Sequence, residues 1–144
     1  MKFRSLVFDD AIYPRGHVDG ALVDDLVEAL KTGATLPPII VDKKTRKVVD
    51  GVHRAWAYRK FADDNEDAAV PIATKTYKSD TDMFIDALRL NARHGHRLSL
   101  GDCERIYGIG RRLRIDSEVL ASNLALTTPK FLQHAITVET RTPN

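Results

Sequence analysis

The chain has 144 residues, 43% of them hydrophobic and 29% charged, with a formal net charge of +2. That supplies one core of about 100 residues plus a small appendage and excludes disorder as the main theme. No apolar run approaches the roughly 18 to 20 residues that span a bilayer, Met1 to Asp10 lack a secretory signal pattern, and a lone Cys103 leaves neither a disulfide nor a start for structural zinc; a cytoplasmic protein with no membrane partner and no metal ligand set is expected.

Phe3 to Phe8 alternates weakly and predicts a strand, closed by a turn at Tyr13 to Gly16. Leu22, Leu26 and Leu30, with Val23 and Val27, share one helical face, with Asp19 as N-cap and Gly33 as terminator. Pro37 and Pro38 force extended backbone into Ile39 to Val41, and a polar turn from Asp42 to Lys47 returns the chain into Val48 and Val49 as a hairpin. Asp50 and Gly51 end that strand, and a helix from His53 to Ala62 turns Ala57 and Phe61 inward. Val70 to Ala73 predicts a further strand, near an edge because Pro71 cannot donate to a central ladder.

Ser79 to Asp82 fits a capping box for a helix reaching about Arg93, and His94 to His96 breaks it. Beyond it, Ser99 and Asp102 start a helix to about Arg112, Asp116 or Ser117 a short one to about Leu124, and Thr128 with Pro129 another. The expected class is α+β, with a mixed domain over 1–96 and a helical module over 97–144.

Charge is local. From Arg89 to Arg114 there are seven arginines (Arg89, Arg93, Arg97, Arg105, Arg111, Arg112 and Arg114) against Asp102 and Glu104. Such a stretch is either a phosphate footprint or a solvated helix surface.

A glycine between a strand and a helix lets backbone approach a ligand closely, and the N–H groups of the helix start favour an anion, as does a nearby guanidinium. Gly51, His53 and Arg54 make such a site in outline, and an ordinary turn is the alternative reading. If Arg54 faces solvent, its replacement weakens the ligand and spares the fold. Val49 to Ala57, read Val-Asp-Gly-Val-His-Arg-Ala-Trp-Ala, resembles the Gly-x-(His/Arg)-Arg-x-x-Ala segment shared by ParB proteins and sulfiredoxins. The order of Arg15, the apolar helix, Gly33, Leu36 to Val41, the hairpin and Val70 to Ile72 matches that superfamily over roughly residues 5 to 95. The resemblance implies a ParB/sulfiredoxin-like mixed domain holding a nucleoside triphosphate, CTP or ATP with Mg2+, at Arg15, Gly51, His53 and Arg54. Sulfiredoxins carry a nucleophilic cysteine directly before the His-Arg pair, where this chain has Val52, so it is not expected to be one.

Leu90 to Gly95 resembles the ParB segment Glu-Asn-x-x-Arg, with Asn91 in the asparagine position, Leu90 in place of the acid and His94 in place of the arginine. The resemblance adds Asn91, Arg93 and His94 to the nucleotide contacts; a polar helix end is the local alternative.

Glu118 to Leu132 has the grammar of a helix-turn-helix, with Leu120, Ala121 and Leu124 packed inward, Ala125 to Thr127 turning, and Phe131 and Leu132 anchoring the second helix. Thr128, Lys130, Gln133 and His134 are the expected base-edge and phosphate contacts, and Arg111, Arg112 and Arg114 the expected nonspecific ones. These features point to a nucleotide-responsive DNA-binding protein of partition or transcription regulation, acting as a homodimer because a two-helix reader alone binds weakly. The alternatives are a ParB-fold enzyme (a nuclease, nucleotide hydrolase or phosphotransferase) and an inactive scaffold; no catalytic residue is assigned.

Overall fold

The structure is a computed structural model that describes residues 1–13, 18–93 and 100–123, with Ala92, Arg93 and Leu100 described by backbone alone. The chain divides into two compact units, Met1–Asp9 with His17–Tyr77 and Asp10–Gly16 with Lys78–Asn144. The division after Tyr77 differs from the boundary expected near His96, because the helix that starts after Ser79 belongs with the second unit.

In the first unit, α1 (Gly20–Lys31) begins where Asp19 accepts hydrogen bonds from the N–H groups of Ala21 and Leu22 and ends before Gly33 at φ +85°. Three strands follow: β1 (Ile39–Asp42), β2 (Val48–Asp50) and, after α2 (Val52–Phe61), β3 (Ile72–Lys75). Their order is β2-β1-β3, with β1 antiparallel to β2 and parallel to β3. The proline-led strand is thus at an edge: Pro71 needs no N–H there, and its carbonyl accepts from Ile39 N–H at 3.0 Å.

Buried Ile39, Val41, Val48 and Val49 supply the apolar centre of the sheet. Between the helices, Val23 and Val27 of α1 meet Ala57 of α2, with Leu26, Leu30 and Trp56 packed around them. The small side chain at Ala57 lets α2 lie close to α1, and Lys60 ties it to Asp24, which holds the Lys60 ammonium above its ordinary value.

Two local expectations are corrected. Phe3–Ser5 is a 3-10 turn rather than part of a strand, since the two buried residues, Phe3 and Leu6, are three apart and three residues make one 3-10 turn. Phe3 then packs edge-on against Trp56 at 5.0 Å and tilted against Phe8 at 5.4 Å, with the Arg59 guanidinium over the Trp56 ring at 5.3 Å. Phe61, expected inward, is 48% exposed, because it is the last residue of α2 and projects past the buried turn at Ala57.

The second unit holds α3 (Asp80–Arg93), α4 (Leu100–Arg112) and α5 (Ser117–Asn123). Ser79 Oγ accepts from Asp82 N–H at 3.2 Å, which is the N-cap half of the expected box. Met83, Phe84, Ala87 and Leu88 of α3, Ile106, Tyr107 and Ile109 of α4, and Leu120 and Ala121 of α5 are buried. The turn between α4 and α5 closes with Arg114 at φ +60° and Ile115 N–H on Gly110 O at 2.8 Å, after which Asp116 Oδ1 caps α5 by accepting from Glu118 N–H at 2.9 Å. Gly110 leaves room at this crossing: a Cβ there would meet the Leu120 methyl groups, so Leu120 would have to shift. The expected second helix of the helix-turn-helix, from Thr128 onward, lies outside the described residues, as does Ser99. Among the described residues no helix is long and apolar enough to cross a membrane.

Candidate functional site

The β2–α2 junction brings Gly51, His53 and Arg54 together in the first unit. Gly51 is the N-cap of α2 at φ +97° and ψ 27°, a left-handed conformation that side-chain-bearing residues adopt at a cost. The first intrahelical bond is Ala55 N–H to Gly51 O at 2.9 Å, so the N–H groups of Val52, His53 and Arg54 have no helical carbonyl four residues back. A helix start of this kind has the polarity to receive an anion.

The two expected side-chain ligands are engaged elsewhere. Arg54 is only 8% exposed. Its Nη1 donates to Pro37 O at 2.8 Å and its Nη2 to Asp50 Oδ2 at 3.0 Å, an ion pair whose side chains are about equally buried. The guanidinium lies across Gly51, where a Cβ would stand 2.8 Å from Nη2 and 3.0 Å from Ile39 Cγ1. The glycine therefore makes room for arginine as much as for any ligand. Arg54 fastens the end of β2 to the proline segment that leads into β1.

His53 is 9% exposed, and its Nε2 accepts from Asp19 N–H at 3.0 Å. An accepting Nε2 carries no proton, so the ring is the neutral tautomer with hydrogen on Nδ1. The imidazole joins the residue that caps α1 to the first turn of α2. Sequence reasoning missed Asp19 and Pro37 as partners of the motif, and no local pattern marks a contact 34 or 17 residues distant.

In the second unit, Asn91 is half-buried on α3. Arg93 ends the same helix, known by its backbone, and Arg15 and His94 lie outside the described residues. Among the described side chains of the arginine stretch there are two roles. Arg89 pairs with buried Asp86 at 2.8 Å, and Arg105 donates to the carbonyls of Asp10 and Tyr13, so these two hold the unit together. Arg111 and Arg112 at the end of α4 and Arg114 in the turn that follows are exposed, with Arg111 over the Tyr107 ring at 5.9 Å. Thr128, Lys130, Gln133 and His134 lie outside the described residues. Cys103 is buried, and desolvation first and the Asp102 carboxylate second push its thiol above the ordinary value.

No protein-family model matches the chain. It is 39% identical over 72 residues, half its length, to the transcriptional regulator NovG of Streptomyces niveus. It is 33% identical over 84 residues, 58% of its length, to a possible regulatory protein of the streptomycin biosynthesis operon of Streptomyces griseus. The matched segments cover 21% and 22% of those proteins, so the chain spans about a fifth of the length of the curated relatives it matches. In structure it is similar to the C-terminally truncated chromosome-partitioning protein ParB of Caulobacter crescentus, solved in complex with the centromeric parS site. That likeness has a TM-score of 0.61 at 16% identity and covers 99% of this chain and 72% of that one. The chain has a ParB-like α+β fold.

Proposed function

We propose that this chain is the DNA-binding part of a transcription regulator of the ParB-like type. The observation that carries the proposal is the set of three exposed arginines, Arg111 and Arg112 at the end of α4 and Arg114 in the turn after it, in a chain of ParB-like fold. Arginine forks match phosphate oxygens, and cations gathered on one turn release condensed counterions when they meet a duplex. The naming of both sequence relatives as regulators favours transcription over partition. Sequence readout falls to Thr128, Lys130, Gln133 and His134, and pairing of two copies would supply the affinity that one small reader lacks. Selection from a random duplex pool tests this: recovery of a preferred site supports it, and an unenriched pool sinks sequence-specific regulation.

Nucleotide binding at the β2–α2 junction would tune that DNA contact. Gly51 and the first-turn N–H groups of α2 support it, while the burial of Arg54 sets a condition: Arg54 must exchange Asp50 for a phosphate oxygen. First-turn backbone N–H groups of α2 would then be offered to a CTP or ATP phosphate, and bound Mg2+ would offset the charge of the phosphate oxygens. Calorimetry with CTP, ATP and GTP, with and without magnesium and duplex DNA, reads this directly. No heat and no thermal stabilisation with any of them removes the nucleotide and leaves the DNA-binding proposal standing.

A further inference from the structure

The loop between β1 and β2 carries Lys43, Lys44, Arg46 and Lys47 within five residues, and its acid is withdrawn from solvent. Asp42 is 3% exposed, and its Oδ2 accepts from Thr45 N–H at 2.9 Å and from the Thr45 hydroxyl. Lys47 pairs with Asp9 at 2.8 Å, whereas exposed Lys43, Lys44 and Arg46 form no ion pair with the described residues. Lys75, also exposed, stands beside them as the register partner of Asp42 on β3.

The tip is held from both sides. Lys43 N–H donates to Lys75 O at 2.9 Å, Arg46 N–H to Asp42 O at 2.9 Å, and Val7 N–H to Arg46 O at 2.9 Å. The backbone of the tip is thereby fixed, so binding has only side chains to order. Arg46 also sits at φ +62°, a position in a hairpin turn that glycine fills at least cost.

We propose that this hairpin tip is a second nucleic-acid contact, on the first unit, that takes the phosphate backbone of duplex DNA through Lys43, Lys44 and Arg46. It rests on the DNA-binding reading above and adds a surface that reading does not use. A two-stranded ribbon fits the major groove of a duplex, and cations at its tip reach phosphates without reading bases. The contact is therefore independent of DNA sequence.

The test titrates a labelled random-sequence duplex with the full chain between about 50 and 200 mM salt. Lys43→Gln/Lys44→Gln/Arg46→Gln should flatten the slope of log affinity on log salt by about 0.9 for each phosphate lost, about two to three in all. Arg46→Gly should flatten it by about one while raising the melting temperature, since it removes a cation and a left-handed arginine together. An unchanged slope in both variants, while replacing Arg111, Arg112 and Arg114 still flattens it, overturns the hairpin contact and spares the DNA-binding reading. Failure of the wild-type chain to bind duplex overturns both. Loss of binding to phosphatidylserine vesicles in the triple variant, with the DNA slope unchanged, assigns the tip to a membrane surface and overturns the proposal.

Discussion

Arg54 Nη2 lies 3.0 Å from Asp50 Oδ2 across the left-handed turn at Gly51, and the same guanidinium holds Pro37 O at 2.8 Å. Arg54→Ala would leave a buried carboxylate without its cation and a carbonyl without this donor, which costs about 3 to 5 kcal/mol. Arg54→Lys restores charge but not the fork that reaches both partners, so it should recover only part of the loss. Urea denaturation measures both, and a midpoint unchanged in Arg54→Ala would show that the arginine is no strut.

Local signals in the sequence were legible because their physics is local. Asp19 as a cap, Gly33 as a terminator, the hairpin from Ile39 to Val49 and the start of α3 after Ser79 depend on neighbours a few residues away. The ParB-like fold was legible through the Gly51 to Arg54 segment and the order of elements around it. What the segment does with its side chains was not, since His53 meets a residue 34 positions away and Arg54 one 17 positions away. The 3-10 turn at Phe3–Ser5 was misread as a strand because a short apolar run fits either period, and packing of Phe3 and Leu6 decides it.

The His53 tautomer follows from its hydrogen bond. With Nε2 accepting from Asp19 N–H, long-range proton–nitrogen correlation spectra should show hydrogen on Nδ1. His53→Ala should destabilise the first unit by about 0.5 to 1.5 kcal/mol through the lost hydrogen bond, since water can reach the Asp19 N–H in its place. Hydrogen on Nε2 in the folded chain would contradict this arrangement.

Two glycines of α4 make opposite predictions. Gly108 is exposed with open space around it, so Gly108→Ala should stabilise the helix by up to about 1 kcal/mol. Gly110 lies under Leu120, itself fully buried, so Gly110→Ala should destabilise by about 1 to 3 kcal/mol despite the better helix propensity. Melting temperatures that move together would refute the close crossing of α4 and α5.

Burial, and then Asp102, raise the Cys103 thiol above its ordinary 9.0, so the folded state holds the proton more tightly than the unfolded chain. The stabilisation is fully present below about pH 9 and is lost as pH rises through the folded value. At pH 8, iodoacetamide should therefore modify Cys103 more slowly in the folded protein than in urea, because thiolate and access are both reduced. Equal rates would contradict the buried placement.

DNA binding through the end of α4 is tested most directly by the salt dependence of affinity for a labelled duplex. Wild type should lose affinity steeply between about 50 and 200 mM salt, and Arg111→Ala/Arg112→Ala/Arg114→Ala should flatten the log–log slope by about two to three, near 0.9 for each phosphate contact removed. Because the three side chains are exposed, the variant should melt close to wild type. A folded variant whose slope and affinity match wild type would contradict the account.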